Sequence, residues 1–276
     1  MNLTSLEQLH QLHQSLTPTS SPPHSLVISI HLNGQRISAS PLLDLLLDLL
    51  SHRHILISSL ELINCKLAPQ FLSQLIPMIQ PYLCTSFRLN LTGSCRKQEE
   101  IDTLVQLNSP FLIGIHLSTS ARVTITKLLS SYQQSNSLLS LSLDKISLAA
   151  TQDMELISQL LVSEDCNLRE LSLQSCDLSR NENNYQILMS SLAHNRSLVS
   201  LDISGNRIRD PMSACCLYLL RNCTLKKLIY EATHLSPQVS LRSFSHSRPL
   251  AIILSGIGAE VFLGTPSVVQ RMFHSR

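Results

Sequence analysis

The sequence predicts an α/β solenoid in which short parallel strands alternate with helices along a repeating unit of about 28 residues. Pairs of apolar residues separated by one residue begin at residues 30, 60, 87, 115, 141, 171, 201 and 228. The steps between them are 30, 27, 28, 26, 30, 30 and 27 residues. Several segments between these pairs carry apolar residues at three- and four-residue steps, which indicates helices.

The first 25 residues are predicted to form an amino-terminal capping helix and a linker. The segment MNLTSLEQLHQLHQSL has leucines at helical spacing but no basic start or continuous apolar run, so we expect no secretory signal. The prolines and serines of TPTSSPPHS, which follows, interrupt any periodicity and indicate the linker.

Three segments share one template, LxxLxLxxN/CxL. They are ISSLELINCKL (57–67), LRELSLQSCDL (168–178) and LVSLDISGNRI (198–208). This template is similar to the signature of leucine-rich repeats, and looser copies extend the resemblance over residues 26–245. The alternation within LxL predicts a strand whose leucines face the core.

The Asn or Cys position of the template follows the strand, where the chain turns. The resemblance implies that this side chain hydrogen-bonds the backbone of neighbouring turns and so forms a ladder. Cys65, Cys176 and Asn206 occupy the position in the close copies. The looser copies place Gln35, Thr92, Ser120, Ile146 and Thr233 there, and we expect the ladder to be weakest at Ile146.

Helices are predicted in PLLDLLLDLL, MELISQLLVS, YQILMSSLAH and MSACCLYLLRN. Asp210-Pro211 and Ser236-Pro237 each supply a cap residue and a proline at the first helical position. A strand and a full helix in each repeat resemble the ribonuclease-inhibitor-like subfamily. That resemblance implies a right-handed horseshoe, with the strands on its concave face and the helices on its convex face.

Residues 246–276 are predicted to be a degenerate ninth unit that caps the repeats. Leu250 to Leu254 has the character of a strand, and Thr265-Pro266 indicates a last helix. Gly256, Gly258 and Gly264 are not spaced for dinucleotide binding, and a capping turn explains them better.

Composition excludes several classes of function. Charged residues make up 14% of the chain and the formal net charge is +2, so we expect neither nucleic acid nor an anionic membrane as a partner. No apolar run is long enough to span a bilayer. The eight cysteines lack zinc spacing, and we expect them to be reduced inside a cell, although four Asn-x-Ser/Thr sequons leave secretion open.

The eleven histidines are scattered and form no recognisable catalytic or metal-binding pattern. The sequence therefore predicts no enzyme activity, no cofactor and no metal.

Two features of the predicted helices bear on packing and binding. Asp44, Asp48, Asp153 and Glu155 are expected to be solvated charges. The seven leucines of PLLDLLLDLL indicate either a helix packed on both sides or an exposed apolar patch that binds a partner.

The outward side chains of the strands are the predicted partner-binding residues on the concave face. They are His31, Glu61, Arg88, His116, Asp144, Glu170, Asp202, Lys227 and Glu231. Arg88 was placed between Phe87 and Leu89, the apolar pair of the third repeat. The acidic members collect toward the carboxyl end, which predicts a negative patch for a basic partner.

The sequence thus predicts a monomeric, cytoplasmic protein-interaction scaffold, either an intracellular adaptor or a bacterial effector that acts in the host cytosol. The alternative is a regulator of a small GTPase, because Ran GTPase-activating proteins resemble this subfamily. That activity needs a positioned arginine, for which Arg36, Arg122 and Arg207 are candidates without a matching motif. An innate-immune receptor would require further domains.

Overall fold

A computed structural model describes residues 1–15, 26–37, 39–51, 55–107, 109–133, 136–206, 222, 224–231, 250–255 and 259–263. The chain divides into two compact units, Met1–Ser140 and Leu141–Arg276. Each unit combines helices with a mostly parallel sheet, so the predicted α/β class is confirmed. The finer boundaries at residues 25 and 245 stay predictions.

Unit 1 carries one sheet in the order β1-β2-β4-β6-β7 and a small parallel pair, β3-β5. Its strands are β1 (Asn2–Leu3), β2 (Leu26–Asn33), β3 (Arg36–Ile37), β4 (Ile55–Ile63), β5 (Lys66–Leu67), β6 (Leu83–Asn90) and β7 (Leu112–Ser118). Its helices are α1 (Leu6–Ser15), α2 (Ala39–Ser51), α3 (Phe71–Ile79), α4 (Gln98–Thr103) and α5 (Thr126–Tyr132). The prediction had included α1 and α2 but not the shorter α3, α4 and α5.

Strand pairing in unit 1 corrects the predicted register of the third repeat. Leu60 of β4 aligns with Leu89 of β6, which in turn aligns with Ile115 of β7. The apolar pair of this repeat is therefore Leu89 and Leu91, two residues later than predicted. Phe87, Leu89 and Leu91 are all buried in one alternating run, so periodicity alone could not choose between the two pairs.

The longer strands of unit 1 are irregular at equivalent places. The pairing shifts between Ile28 and Ser29, between Ile57 and Ser59, and between Phe87 and Arg88. At the first shift the extra residue is Ser58, whose hydroxyl donates to the Ile28 carbonyl at 3.0 Å. Each shift separates an amino-terminal part of a strand from the part that carries the apolar pair. A bulge of this kind bends the strand and increases its twist.

The amino-terminal segment packs against the first repeat, as its predicted capping role requires. Leu3 of β1 aligns with Ile30 of β2, and α1 contacts α2. The α2 leucines whose side chains are described are buried: Leu42, Leu43, Leu45, Leu46 and Leu49. Asp44 and Asp48 are exposed on the same helix. These burials favour a helix packed by its neighbours over an exposed apolar patch.

Unit 2 carries a sheet in the order β8-β9-β10-β11-β12-β13. The strands are β8 (Ser140–Asp144, whose first residue ends unit 1), β9 (Glu170–Ser172), β10 (Ser200–Asp202), β11 (Lys227–Glu231), β12 (Leu250–Ser255) and β13 (Ala259–Leu263). The described helices are α6 (Thr151–Val162) and α7 (Glu182–His194), both predicted. Leu171, Leu201 and Leu228 align in the predicted register.

The end of unit 2 matches the prediction in part. Strand β12 lies where Leu250 to Leu254 predicted a strand, and it pairs parallel to β11. The sequence did not predict β13, which pairs antiparallel to β12. The helix starts predicted at Asp210-Pro211, Ser236-Pro237 and Thr265-Pro266 lie outside the described residues, as does Thr233.

The predicted ladder is confirmed at Cys65, Cys176 and Asn206. In unit 2 the Asn206 side chain accepts from the Cys176 amide at 2.8 Å and donates to the Leu173 carbonyl at 2.7 Å. The Cys176 thiol donates to the Leu143 carbonyl at 3.1 Å. Because a buried backbone group without a partner is costly, these side chains stabilise the turns between strands.

In unit 1 the ladder runs through Cys65 and Ser94. The Cys65 thiol donates to the Leu32 carbonyl at 3.4 Å, and the Ser94 hydroxyl accepts from the Cys65 amide at 2.8 Å. Ser94 also donates to the Leu62 carbonyl. The prediction of Thr92 was wrong because of the register error, since Ser94 stands three residues after Leu91. Ser120, also predicted for the ladder, is exposed.

A second set of asparagines braces the turns that lead into the strands of unit 2. Asn195 is 1% exposed, and its amide donates to the Leu161 carbonyl at 2.7 Å and its carbonyl accepts from the Leu198 amide at 2.7 Å. Asn222 repeats the arrangement, donating to the Leu192 carbonyl at 2.6 Å. Both are sequon asparagines, so the folded chain uses these two side chains internally.

One predicted surface charge is not at the surface. Asp153 is 4% exposed, whereas Glu155 on the same helix is exposed as expected. Asp153 lies in the first turn of α6, where the unbonded backbone N–H groups and the helix dipole favour a carboxylate. Among the described residues, no helix combines the length and apolar character needed to cross a bilayer.

Candidate protein-binding face

We call the outward side chains of the strands the strand face of each unit: those of β2, β4, β6 and β7 in unit 1, and those of β8–β11 in unit 2. They alternate with the buried apolar residues, because successive side chains of a strand point to opposite sides. Of the nine predicted residues, His31, Glu61, His116, Asp144 and Asp202 are half-buried, and Arg88, Glu170 and Lys227 are exposed. Glu231 ends β11, and its side chain lies outside the described part of the chain.

A polar row crosses unit 1 beside the apolar pairs. It consists of His31, Glu61, Asn90 and His116, which align on successive strands. His31 Nδ1 lies 3.1 Å from Glu61 Oε2, so these two side chains contact each other within the row. His116 Nε2 lies 3.3 Å from the Ser140 hydroxyl. Asn90, rather than the predicted Arg88, therefore lies between the two residues of the apolar pair of the third repeat.

Arg88 lies in the neighbouring row, between Ser59 and Gly114. Its aliphatic stem covers Gly114, since a Cβ placed on that glycine would be 3.3 Å from Arg88 Cγ. No carboxylate lies within 4 Å of its guanidinium in the part of the chain that the structure describes. Arg88 therefore presents a positive charge to solvent from the middle of the unit 1 sheet.

In unit 2 the strand face carries a hydrogen-bonded network centred on Asp144. Its carboxylate accepts from the hydroxyls of Ser142 at 2.8 Å and Ser172 at 2.6 Å, and from the Gln174 amide at 3.0 Å. The Gln174 side chain continues to the Ser204 hydroxyl at 3.0 Å. A carboxylate held by three donors positions the strands as well as offering charge.

The remaining acidic residues of unit 2 do not form one row. Ser200 aligns with both Glu170 and Lys227, which places these opposite charges two strands apart, about 10 Å, in the same row. Asp202 lies one row further along, aligned with Ile229, and accepts from the Ser204 amide at 2.9 Å. The negative patch that the sequence predicted is therefore interrupted by Lys227.

Several serines at or beside the outward strand positions are buried. Ser118, Ser140, Ser142 and Ser204 are each less than a tenth exposed. Small side chains on a sheet are covered by the larger ones around them. Polar contact with a partner would therefore come from the charged and amide side chains rather than from serine.

Buried thiols and a buried phenol provide no reactive group on this face. Burial raises the pKa of the Cys65, Cys95 and Cys176 thiols and of the Tyr132 hydroxyl. Thiols with a raised pKa are mostly protonated near neutral pH and react slowly. Among the described residues, no three His, Cys, Asp or Glu side chains are grouped to hold a metal ion.

Two of the three arginines proposed for GTPase regulation are described. Arg36 lies on β3 and Arg122 follows β7, and both are exposed in unit 1. Arg207 lies outside the described residues.

The sequence analysis missed an apolar group at the amino-terminal edge of the unit 1 strand face. Phe111 is 40% exposed, Leu139 is 36% exposed, and Ile113 between them is half-buried. Phe111 lies in the turn before β7, and Ile113 is the extra residue at the pairing shift; both are more accessible than the buried Leu112 between them. The available signal was the apolar run FLIGI (111–115), which extends beyond the template in the amino-terminal direction.

No protein-family model matches the chain, and its comparison with curated proteins returned no significant match.

Proposed function

We propose that this chain is a leucine-rich-repeat scaffold that binds another protein through its strand face and carries no catalytic activity. The observation that carries the proposal is the accessible charge on aligned parallel strands, Arg88 in unit 1 and Glu170 and Lys227 in unit 2. Side chains on neighbouring strands stand about 4.8 Å apart on a rigid support, which suits recognition of a second protein surface.

The repeat template and its ladder support the finer architecture. The ladder hydrogen bonds of Cys65, Ser94, Cys176 and Asn206 follow the pattern that leucine-rich repeats use. We propose a right-handed horseshoe of the ribonuclease-inhibitor-like kind, in which the strand face is concave and the helices are convex. A monomer in the cytoplasm, or an effector in a host cytosol, is the setting proposed for it.

Charge reversal on the strands tests this function. Once affinity capture and mass spectrometry have supplied a partner, the triple variant Glu170→Lys, Asp202→Lys, Glu231→Lys is compared with the unaltered chain by surface plasmon resonance at low and moderate salt. We expect slower association and an altered salt dependence, because charges at an interface steer the encounter.

The matched control reverses three charges on helices: Asp44→Lys, Asp48→Lys and Glu155→Lys. All three residues are exposed, and the Asp48 carboxylate lies 3.7 Å from His13 Nε2. We expect the partner to bind this variant as it binds the unaltered chain. Loss of binding in the helix variant, with full binding in the strand variant, would contradict the proposal and assign recognition to the helices.

A further inference from the structure

We propose that Arg88 and the apolar group Phe111, Ile113 and Leu139 form one peptide-binding surface on the strand face of unit 1. Its occupant is a partner segment that carries a carboxylate beside an apolar side chain. This inference rests on the proposed function and gives it a location and a partner chemistry.

The components are adjacent in the strand pairing. Arg88 aligns with Gly114, and Ile113 immediately precedes that glycine at the shift between β6 and β7. The Phe111 carbonyl accepts from the Phe87 amide at 2.8 Å, so Phe111 lies beside the residue that precedes Arg88. The Leu139 amide donates to the Ile113 carbonyl at 2.8 Å, which places Leu139 on the other side.

The charge of this surface selects the occupant. Glu61, the acidic residue of the polar row, is already engaged by His31 at 3.1 Å. Arg88 has no carboxylate within 4 Å among the described residues, its aliphatic stem lies over Gly114, and the residue is exposed. A guanidinium binds a carboxylate through two parallel hydrogen bonds, which gives both strength and orientation.

The apolar part distinguishes a protein segment from other anionic partners. Phe111 and Leu139 are 40% and 36% exposed, and aromatic residues and arginine are the side chains that most often dominate binding energy at protein interfaces. Nucleic acid or an anionic bilayer would require several cations, because affinity for them grows with the number of charges neutralised. Here a single arginine stands beside apolar side chains, which fits one carboxylate next to one apolar group.

The test uses the full chain as bait for two displayed peptide libraries, one with internal acidic residues and blocked carboxyl ends, the other with free carboxyl ends and no internal acids. The peptides that are enriched are synthesised, and their affinities are measured by fluorescence anisotropy. The two libraries separate a side-chain carboxylate from a terminal one as the group that Arg88 binds. We expect enriched peptides to place a carboxylate beside an apolar residue.

Variants then connect binding to this surface. We expect Arg88→Glu and Phe111→Ser each to weaken peptide binding about tenfold or more, the usual effect of losing a dominant interface residue. Arg122→Glu and Val162→Ser are the matched controls, since both residues are exposed and lie outside the group. Circular dichroism and thermal unfolding confirm that each variant is folded before its binding is compared.

The outcomes separate this inference from the proposed function. If no peptide is enriched, or enriched peptides bind Arg88→Glu as they bind the unaltered chain, the inference is overturned. If the peptides that bind Arg88→Glu normally lose affinity for Glu170→Lys or Asp202→Lys, the strand face still binds protein. In that case only the assignment of the site to Arg88 and its apolar neighbours is wrong. If they lose affinity only for the helix variant Asp44→Lys, Asp48→Lys, Glu155→Lys, both proposals are wrong.

Discussion

The two units apply one repeat template in different ways. In unit 1 the strands β2, β4, β6 and β7 are seven to nine residues long, and the pairing of each neighbouring two contains a shift. In unit 2, β9 and β10 have three residues each and pair without a shift. Helix length divides the units less cleanly: α4 and α5 in unit 1 have six and seven residues and α6 and α7 in unit 2 have twelve and thirteen, but α2 in unit 1 also has thirteen.

This difference shows how a repeat of nearly constant length can be divided. Before β7 a long strand follows a short helix, since α4 has six residues, whereas α2 and β4 are both long. Ile113 in the amino-terminal part of β7 is half-buried, and Phe111 in the turn before it is exposed. The ladder of unit 2 includes an asparagine, which can donate and accept at once.

The largest effect is expected from truncating the aligned leucines. Leu201 and Leu173 in unit 2 are completely buried, so Leu201→Ala or Leu173→Ala should lower the free energy of unfolding by about 2–5 kcal/mol through lost burial and a cavity. Chemical denaturation measures this.

The same experiment on Leu60→Ala compares the units, because Leu60 is the buried counterpart on β4. We expect a loss in the same range. Near-neutral results for both unit 2 variants would mean that these leucines are not inward-facing residues.

The ladder should contribute unequally in the two units. Asn206→Ala removes a carbonyl that accepts from Cys176 and an amide that donates to Leu173 and Ile203, so we expect a loss of about 3 kcal/mol. Ser94→Ala removes one hydroxyl with two partners, for which we expect about 1–2 kcal/mol. Urea denaturation of both variants provides the comparison, and equal losses would show that asparagine gives unit 2 no advantage.

Substitution of three glycines tests the backbone conformation that follows three of the apolar pairs. Gly34, Gly93 and Gly205 have φ of 68°, 71° and 72°, where an alanine costs about 1–2 kcal/mol. A Cβ at Gly34 would meet nothing within 4 Å, whereas at Gly205 it would lie 2.3 Å from the Ser175 hydroxyl.

Gly205→Ala should therefore be more destabilising than Gly34→Ala in thermal unfolding, and adding Ser175→Ala should reduce the difference. If Gly34→Ala were the more harmful, close packing between successive turns would not be the reason for glycine in unit 2.

The smallest effect is chemical rather than energetic. Among the described residues, each unit contains one buried ladder cysteine, Cys65 or Cys176, and one half-exposed cysteine, Cys84 or Cys166. Burial raises the pKa of the ladder thiols, so less thiolate is present at neutral pH and alkylation should be slow. Timed iodoacetamide labelling, read by peptide mass spectrometry, should modify Cys84 before Cys65 and Cys166 before Cys176. Early labelling of Cys176 would indicate that the ladder of unit 2 opens readily.

The sequence predicted the parts of the fold in which local pattern and burial agree. LxL alternation located β9 and β10 correctly, and the ladder positions of Cys176 and Asn206 followed from the same template. In the third repeat three alternating apolar residues allowed two registers, which the strand pairing and the hydrogen bonds of Ser94 distinguish. Asp153 could not be placed because aspartate is rarely buried, and helical spacing alone gives no sign that this one is.

The candidate site was less accessible to sequence reasoning. Outward positions such as Arg88 and Glu170 were identified from alternation, but alternation says nothing of which charges are matched. The His31–Glu61 contact and two of the three donors on Asp144, Ser172 and Gln174, bring together residues that are 28 to 30 positions apart in the chain. Phe111 was missed because it stands just outside the template.

The buried asparagines of unit 2 have a practical consequence for producing this protein. Asn195 and Asn222 begin Asn-Arg-Ser and Asn-Cys-Thr, which a eukaryotic secretory host recognises on the nascent chain before folding. A glycan on Asn195 would occupy the amide that bonds the Leu161 carbonyl, so the modified chain could not close the turn into β10. Bacterial cytosolic expression avoids that conflict, and a secretory system would require Ser197→Ala and Thr224→Ala, which remove the sequons and keep both asparagines.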